Sequence, residues 1–143
     1  MRKIEEFFAR YERGANTFDP DQVAAQFTAQ FMGADPNGVA CIGNDATFRE
    51  AIDERRAFFG EIGFRSARVL GIEPTALDER YTLAKVRWRM AFDPPRPTPD
   101  APPRVFEFDI SYVLFDPGDG PKVAFYVSHE DERRTMREGG LID

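Results

Sequence analysis

A single cysteine, Cys41, excludes a disulfide within the chain and suits a reducing compartment, so the expected location is cytoplasmic. Histidine is equally scarce. His129 stands alone, and with one thiol there are too few nitrogen and sulfur donors for an ordinary zinc site, so no metal is expected. The sequence holds no Gly-rich phosphate loop and no Gly-x-Ser-x-Gly nucleophile turn, so no nucleotide cofactor is expected either. It has no basic run. With 19 Lys and Arg against 25 Asp and Glu, its net charge of −6 removes the electrostatic basis for a nucleic-acid partner. No stretch approaches the ~20 apolar residues that a membrane helix needs, so no membrane partner is expected. The first residues, Met1 to Glu6, lack the apolar centre of a signal peptide and read as the start of a helix.

Phenylalanine, by contrast, is abundant. Fourteen Phe in 143 residues carry more aromatic surface than a small core needs. That excess fits a lined cavity, a buried dimer face or a Phe-rich core. The length fits one domain spanning residues 1–143. Ile4, Phe7, Phe8 and Tyr11 share one helical face. Asp19-Pro20-Asp21-Gln22 reads as an N-cap, an N1 proline and a capping-box partner for a second helix whose apolar face is Val23, Ala24, Phe27 and Phe31. Asp35-Pro36-Asn37-Gly38 is turn chemistry for a short hairpin within Phe31 to Ile42. A third helix is expected from Thr47, capped with Glu50, through Phe48, Ile52, Phe59 and Ile62, and it ends at Gly63.

From Phe64 the period becomes two. The expected strands are Phe64 to Glu73, Glu79 to Phe92, Val105 to Phe115 and Lys122 to Ser128. Six prolines between Asp93 and Arg104 exclude internal sheet pairing and make that segment a stiff hairpin tip. Ser128 to Asp131 caps a last short helix, which ends at Gly139-Gly140. Helices followed by a meander of long strands argue an α+β fold, with N-terminal helices packed in a strongly curved antiparallel sheet, a cone-shaped half-barrel.

That element order, with Phe27 leading into Asp35-Pro36-Asn37-Gly38, Arg87-Trp88-Arg89-Met90 in a long strand, and Phe125-Tyr126-Val127-Ser128-His129-Glu130-Asp131 closing the sheet, resembles the nuclear transport factor 2-like superfamily. The superfamily includes SnoaL-like proteins and ketosteroid isomerases, and mixes isomerases, dehydratases and cyclases with non-catalytic binding modules. Ketosteroid isomerases carry a Tyr in helix one, an Asp-Pro in the hairpin after helix two and a protonated Asp on a late strand. The resemblance therefore implies Tyr11 as oxyanion donor and Asp35 as proton carrier. At the late-strand position the count falls on Ser111, with Asp109 two residues before it on the same face. Relatives of this kind often pair, which implies a homodimer.

Each candidate also has a plainer role. Asp35 fits the first position of a β-turn, Tyr11 fits a core tyrosine, and His129 fits a surface position beside the last helix. Val86, Trp88, Met90 and Phe92 alternate with Lys85, Arg87 and Arg89, and Phe106, Phe108, Ile110 and Tyr112 alternate with Glu107, Asp109 and Ser111. In one arrangement the apolar faces pack on the helices. In the other the polar faces line a pocket and the apolar stripe of Val123, Phe125 and Val127, with Phe106, Phe108 and Ile110, covers a dimer partner. The candidate acid/base set is Tyr11, Asp35 and Asp109. The candidate ligand contacts are Arg87, Trp88, Ser111, Tyr126 and His129. Two functions follow: a module that binds a small apolar or aromatic ligand or mediates dimerisation, and a cofactor-independent isomerase, dehydratase or cyclase.

Overall fold

The computed structural model describes residues 2–95 and 99–143. Four helices, α1 (Arg2–Thr17), α2 (Pro20–Ala24), α3 (Ala46–Glu61) and α4 (Glu132–Glu138), pack on one face of a curved, unclosed six-stranded sheet. Its strands are β1 (Phe27–Asp35), β2 (Gly38–Gly43), β3 (Phe64–Ala76), β4 (Tyr81–Phe92), β5 (Arg104–Phe115) and β6 (Lys122–Ser128), in the order β2-β1-β6-β5-β4-β3. The pairs are antiparallel except β1 with β6, which run parallel because the whole α3-to-β5 segment intervenes between them. This is the α+β cone read from the sequence, with one parallel pair added.

The apolar sides of β4 and β5 face the helices. Ala84, Val86, Trp88, Met90 and Phe92 are buried, alternating with exposed Leu83, Lys85, Arg87 and Arg89. Ile4, Phe7 and Phe8 of α1 close on them. Of the two arrangements the alternation allowed, the molecule takes the one with helices on the apolar face. The stripe proposed for a partner is itself divided. Val113 pairs with Phe125 but Leu114 pairs with Val123, leaving Ala124 as an extra residue. Such a bulge reverses the side-chain parity beyond it. Val123, Phe106, Phe108 and Ile110 belong to the core side, while Phe125 and Val127 face outward beside Val113 and Ser111.

Helix α2 is shorter than its apolar pattern predicted, and Phe27 and Phe31 lie on β1 instead. Asp19 caps it as expected, accepting from the N–H groups of Asp21 and Gln22. Helix α3 is capped by Asp45, which accepts from Phe48 N–H, not by Thr47. Gly63 follows its C-cap at φ 83°, a left-handed conformation that favours glycine. The same conformation ends α1 on a bulky residue, Phe18 at φ 54°, whose N–H donates to Gly14 O at 2.9 Å. Packing of the Phe18 ring on Phe59 and Phe64 offsets that local cost. Edge strand β3 is fastened to α1 by Asn16, which exchanges two 2.8 Å hydrogen bonds with the main chain of Ala67.

Part of the proline-rich tip, residues 96–98, lies outside the described residues. Its two ends are tied to the body. Asp93 N–H donates to Gly63 O at 2.7 Å, and Arg104 donates to Asp93 O at 3.0 Å and Gly140 O at 2.9 Å. No helix among the described residues is long and apolar enough to cross a membrane.

Candidate functional site

Between the helices and the concave side of the sheet lies a cavity of about 700 Å³. Most of its wall is aromatic or aliphatic, from Phe27, Phe48, Phe59, Trp88, Phe106 and Phe108 among others. The wall forms because inward positions of long alternating strands carry large apolar side chains while the short helices cover only part of them.

Polar groups enter this lining at a few points. Tyr11 comes from α1, Tyr112 from β5, Tyr126 from β6 and Trp88 from β4. Trp88 Nε1–H donates to Tyr112 Oη at 3.1 Å. The Tyr112 ring packs edge-on against Tyr11, with their ring centroids 5.3 Å apart. Burial pushes the Tyr11 phenol up, against the opposing pull of Tyr112. Burial likewise raises Tyr112 well above the ordinary tyrosine range, reinforced by Tyr11. Burial raises Tyr126 too, with Arg55 pulling the other way. All three phenols keep their protons at neutral pH and are able to donate a hydrogen bond. Tyr126 lies flat over β1, where a Cβ on Gly33 would come within 2.5 Å of its hydroxyl.

At the rim, Arg55 of α3 forms a two-point pair with Glu132 at the start of α4, at 2.6 and 2.9 Å. Their side chains are 45% and 43% exposed, so solvent screens the pair and its net contribution is about 1 kcal/mol or less. Burial opposes the Arg55 charge, but the hydrogen bonds and charge of Glu132 outweigh it and hold the guanidinium pKa above its usual value. The guanidinium also lies 4.2 Å from the centroid of the Phe59 ring. Asp35 borders the same opening. It is exposed, and its Oδ1 accepts from Asn37 N–H at 2.8 Å, the local turn bond expected of Asp at that position. Asn37 then donates to Asp131, the N-cap of α4, at 2.8 Å. That bond, ahead of the Arg134 N–H, lowers the Asp131 pKa.

The eight candidates thus fall into two groups. Tyr11, Asp35, Trp88 and Tyr126 border the cavity. Asp109, Arg87, Ser111 and His129 lie on the opposite, convex face. There Arg87 pairs with Asp109 at 3.4 Å and Glu107 at 3.8 Å, and Ser111 Oγ lies 2.7 Å from His129 Nε2. The sheet separates Tyr11 from Asp109 and Ser111, so the three-residue set Tyr11, Asp35 and Asp109 is not assembled. The inward residue of β5 nearest Tyr11 is Tyr112, one position past the Ser111 to which the count led.

Tyr112, Arg55, Glu132 and Gln26 line the cavity without having been singled out. Arg55 had a legible signal. It stands three residues after Ile52 and four before Phe59, a charge on the apolar face of α3. Among the described residues, no three His, Cys, Asp or Glu side chains gather as metal ligands.

No family model matches this sequence, and no curated protein matches it. Solved structures do. An NTF-2-like protein of unknown function from Shewanella oneidensis superposes with a TM-score of 0.67 at 15% identity, over 90% of this chain and 98% of that one. A scytalone dehydratase-like protein from Novosphingobium aromaticivorans gives 0.67 at 18% identity, over 90% and 81%. A ketosteroid isomerase-like protein from Erwinia carotovora gives 0.65 at 14% identity, over 90% and 93%. The chain has the nuclear transport factor 2-like cone fold.

Proposed function

We propose that this protein binds a small, mainly apolar aromatic molecule inside the cone, with Tyr11 donating a hydrogen bond to an oxygen of the ligand. The observation that carries this reading is the cavity itself: about 700 Å³, aromatic-walled, with Tyr11 and the hydrogen-bonded Trp88–Tyr112 pair on its wall. That size falls within the range of small-molecule sites, roughly 300–1,000 Å³. Trp88 N–H can only donate, so it occupies a lone pair of Tyr112. The Tyr11 hydroxyl, which borders the cavity and forms no hydrogen bond among the described residues, has its proton free for the ligand.

Trp88 is the only tryptophan, so it reports on the cavity directly. Adding 2-naphthol should change Trp88 emission and raise the melting temperature. Ligand at a hundred times its Kd stabilises by about 2.7 kcal/mol. Unchanged emission and melting up to millimolar probe would defeat the reading.

A second reading has its own observation. A neutral phenol, Tyr11, and two carboxylates, Glu132 and Asp35, border one cavity, which is a minimal set for moving a proton next to a carbonyl. The names of the scytalone dehydratase-like and ketosteroid isomerase-like neighbours point the same way. Entry of solvent deuterium beside the carbonyl of a bound cyclic ketone separates this reading from binding alone.

We also place the protein in the cytosol, where the exposed Cys41 would stay reduced, and propose that it pairs with a second copy through the convex face. Met32 and Val39 are exposed there, near outward Phe125, Val127 and Val113. A two-fold pair lets one such patch cover its copy. Light scattering should give twice the 16.3 kDa of one chain, and Val127→Glu should give a folded monomer. A wild-type mass of 16.3 kDa at every concentration would refute the pairing.

A further inference from the structure

Gln26 is the buried polar residue of the core, 7% exposed and set among the aromatic and aliphatic side chains that line the cavity. Its main chain is satisfied, donating to Val23 O at 3.1 Å and accepting from Val123 N–H at 2.8 Å. Its side chain forms no hydrogen bond among the described residues, and neither polar atom of the amide is sealed off, because the small surface that Gln26 keeps borders the cavity. The amide lies over Gly14, where a Cβ would come within 3.6 Å of its Oε1 and 3.2 Å of Val23 Cγ2. An amide set in an apolar wall with no protein partner gives up solvation that the fold does not replace, and such a placement is uncommon in native proteins. Leu or Met would fill the same space without that cost. An unpaired amide held in an apolar wall is the arrangement expected of a group whose partner arrives with the ligand.

We infer that Gln26 is the specificity-determining contact of the cavity and selects ligands that carry a hydroxyl group on an apolar aromatic frame. An amide offers a donor and an acceptor side by side. A hydroxyl meets both, accepting from Nε2–H and donating to Oε1. An apolar ligand of the same shape leaves the amide unpaired and is discriminated against for that reason. A site built to hydrogen-bond a hydroxyl rejects the analogue that lacks it more strongly than an apolar site rejects one that has it. This inference rests on the ligand-binding reading above and goes further, because it assigns the choice of ligand to Gln26 in addition to the Tyr11 donor.

The test uses two probes of similar shape, 2-naphthol and 2-methylnaphthalene, titrated by calorimetry into the wild type, Gln26→Met and Tyr11→Phe. Wild type should bind 2-naphthol about tenfold more tightly than 2-methylnaphthalene, the worth of one added hydrogen bond. In Gln26→Met the preference should shrink to about twofold or less, with 2-methylnaphthalene bound at least as tightly as before. Without ligand, Gln26→Met should melt a few degrees higher, because an unpaired polar group has been replaced by an apolar one of the same length. A merely structural glutamine would give the opposite shift. A preference that survives in Gln26→Met and vanishes in Tyr11→Phe would assign the hydroxyl to Tyr11 alone and overturn the inference. So would a Gln26→Met protein that is less stable than wild type. If neither probe binds wild type, the ligand-binding reading fails, and this inference fails with it.

Discussion

Truncating Phe59 to alanine should lower the unfolding free energy by about 3–5 kcal/mol, the usual cost of removing a buried phenyl ring. For a domain of this size that corresponds to roughly 10–15 °C in melting temperature. Phe59 is 1% exposed and touches three aromatic rings from outside α3. Phe18, just after α1, lies 5.6 Å away centroid to centroid, Phe64 of β3 lies 5.4 Å away, and Phe92 of β4 lies 5.8 Å away. The Phe18 contact has a further consequence. Phe18 holds a left-handed backbone conformation that its own side chain disfavours, so loss of its packing partner also frees the end of α1. The ring borders the cavity, so its removal enlarges an existing void, and little relaxation can refill the space. Phe59→Leu keeps most of the volume and should lose much less. Denaturant unfolding of both variants checks the claim. A loss below about 1 kcal/mol for Phe59→Ala would mean that this cluster does not anchor α3 to the sheet.

The same cluster shows what the sequence carried and what it withheld. Period-two alternation located the strands well, with β6 matching residue for residue and β4 and β5 close at both ends. Phe27 and Phe31 were ambiguous for a physical reason. A spacing of four returns a side chain to the same face in a helix and in a strand alike. The spacing alone suits a helix, and the hydrogen-bonded neighbours β2 and β6 make the pair strand. Phe18 has no local signal, because glycine or asparagine is the residue expected at a left-handed helix end. Thr47 and Glu50 offered a valid capping box, but Asp45 stands two residues earlier and accepts from Phe48 N–H.

For the site, the limiting step was parity. A strand residue faces the cavity or the solvent according to an even or odd count, and a single bulge at Ala124 reverses the count along β6. That bulge sends Phe125 and Val127 outward and leaves Tyr126 inward over Gly33. On β5 the alternation itself was right, but which face met the helices needed the third dimension. Asp109 and Ser111 went to the convex side and Tyr112 to the cavity. Arg55 and Glu132 are 77 residues apart in the chain, and no local pattern can announce such a pair. Gln26 was invisible for another reason. Its position is ordinary in sequence, and it becomes notable only when every neighbour has been found to leave its amide unpartnered.

Filling the cavity should abolish ligand binding while leaving the fold intact, and Ala15→Phe is the substitution that does so from the least strained place. Ala15 lies on α1, one turn beyond Tyr11, packs beside the core and borders the cavity. It is only partly buried, and the space in front of it is the cavity itself, so a phenyl ring there has somewhere to go. Phenylalanine costs the helix only a few tenths of a kcal/mol relative to alanine. It also covers apolar wall that the unliganded protein leaves open, which favours the folded state. The melting temperature should therefore hold or rise. The affinity for 2-naphthol should fall by at least about a hundredfold, ~3 kcal/mol, because the ring and the ligand compete for one volume. Calorimetric titration alongside thermal unfolding separates the outcomes. Wild-type affinity in a well-folded Ala15→Phe protein would place the ligand outside the cone. A lost affinity accompanied by a large fall in melting temperature would be read as damage, and Ala15→Leu, which adds less volume, would then give the graded response that a true competition for space requires.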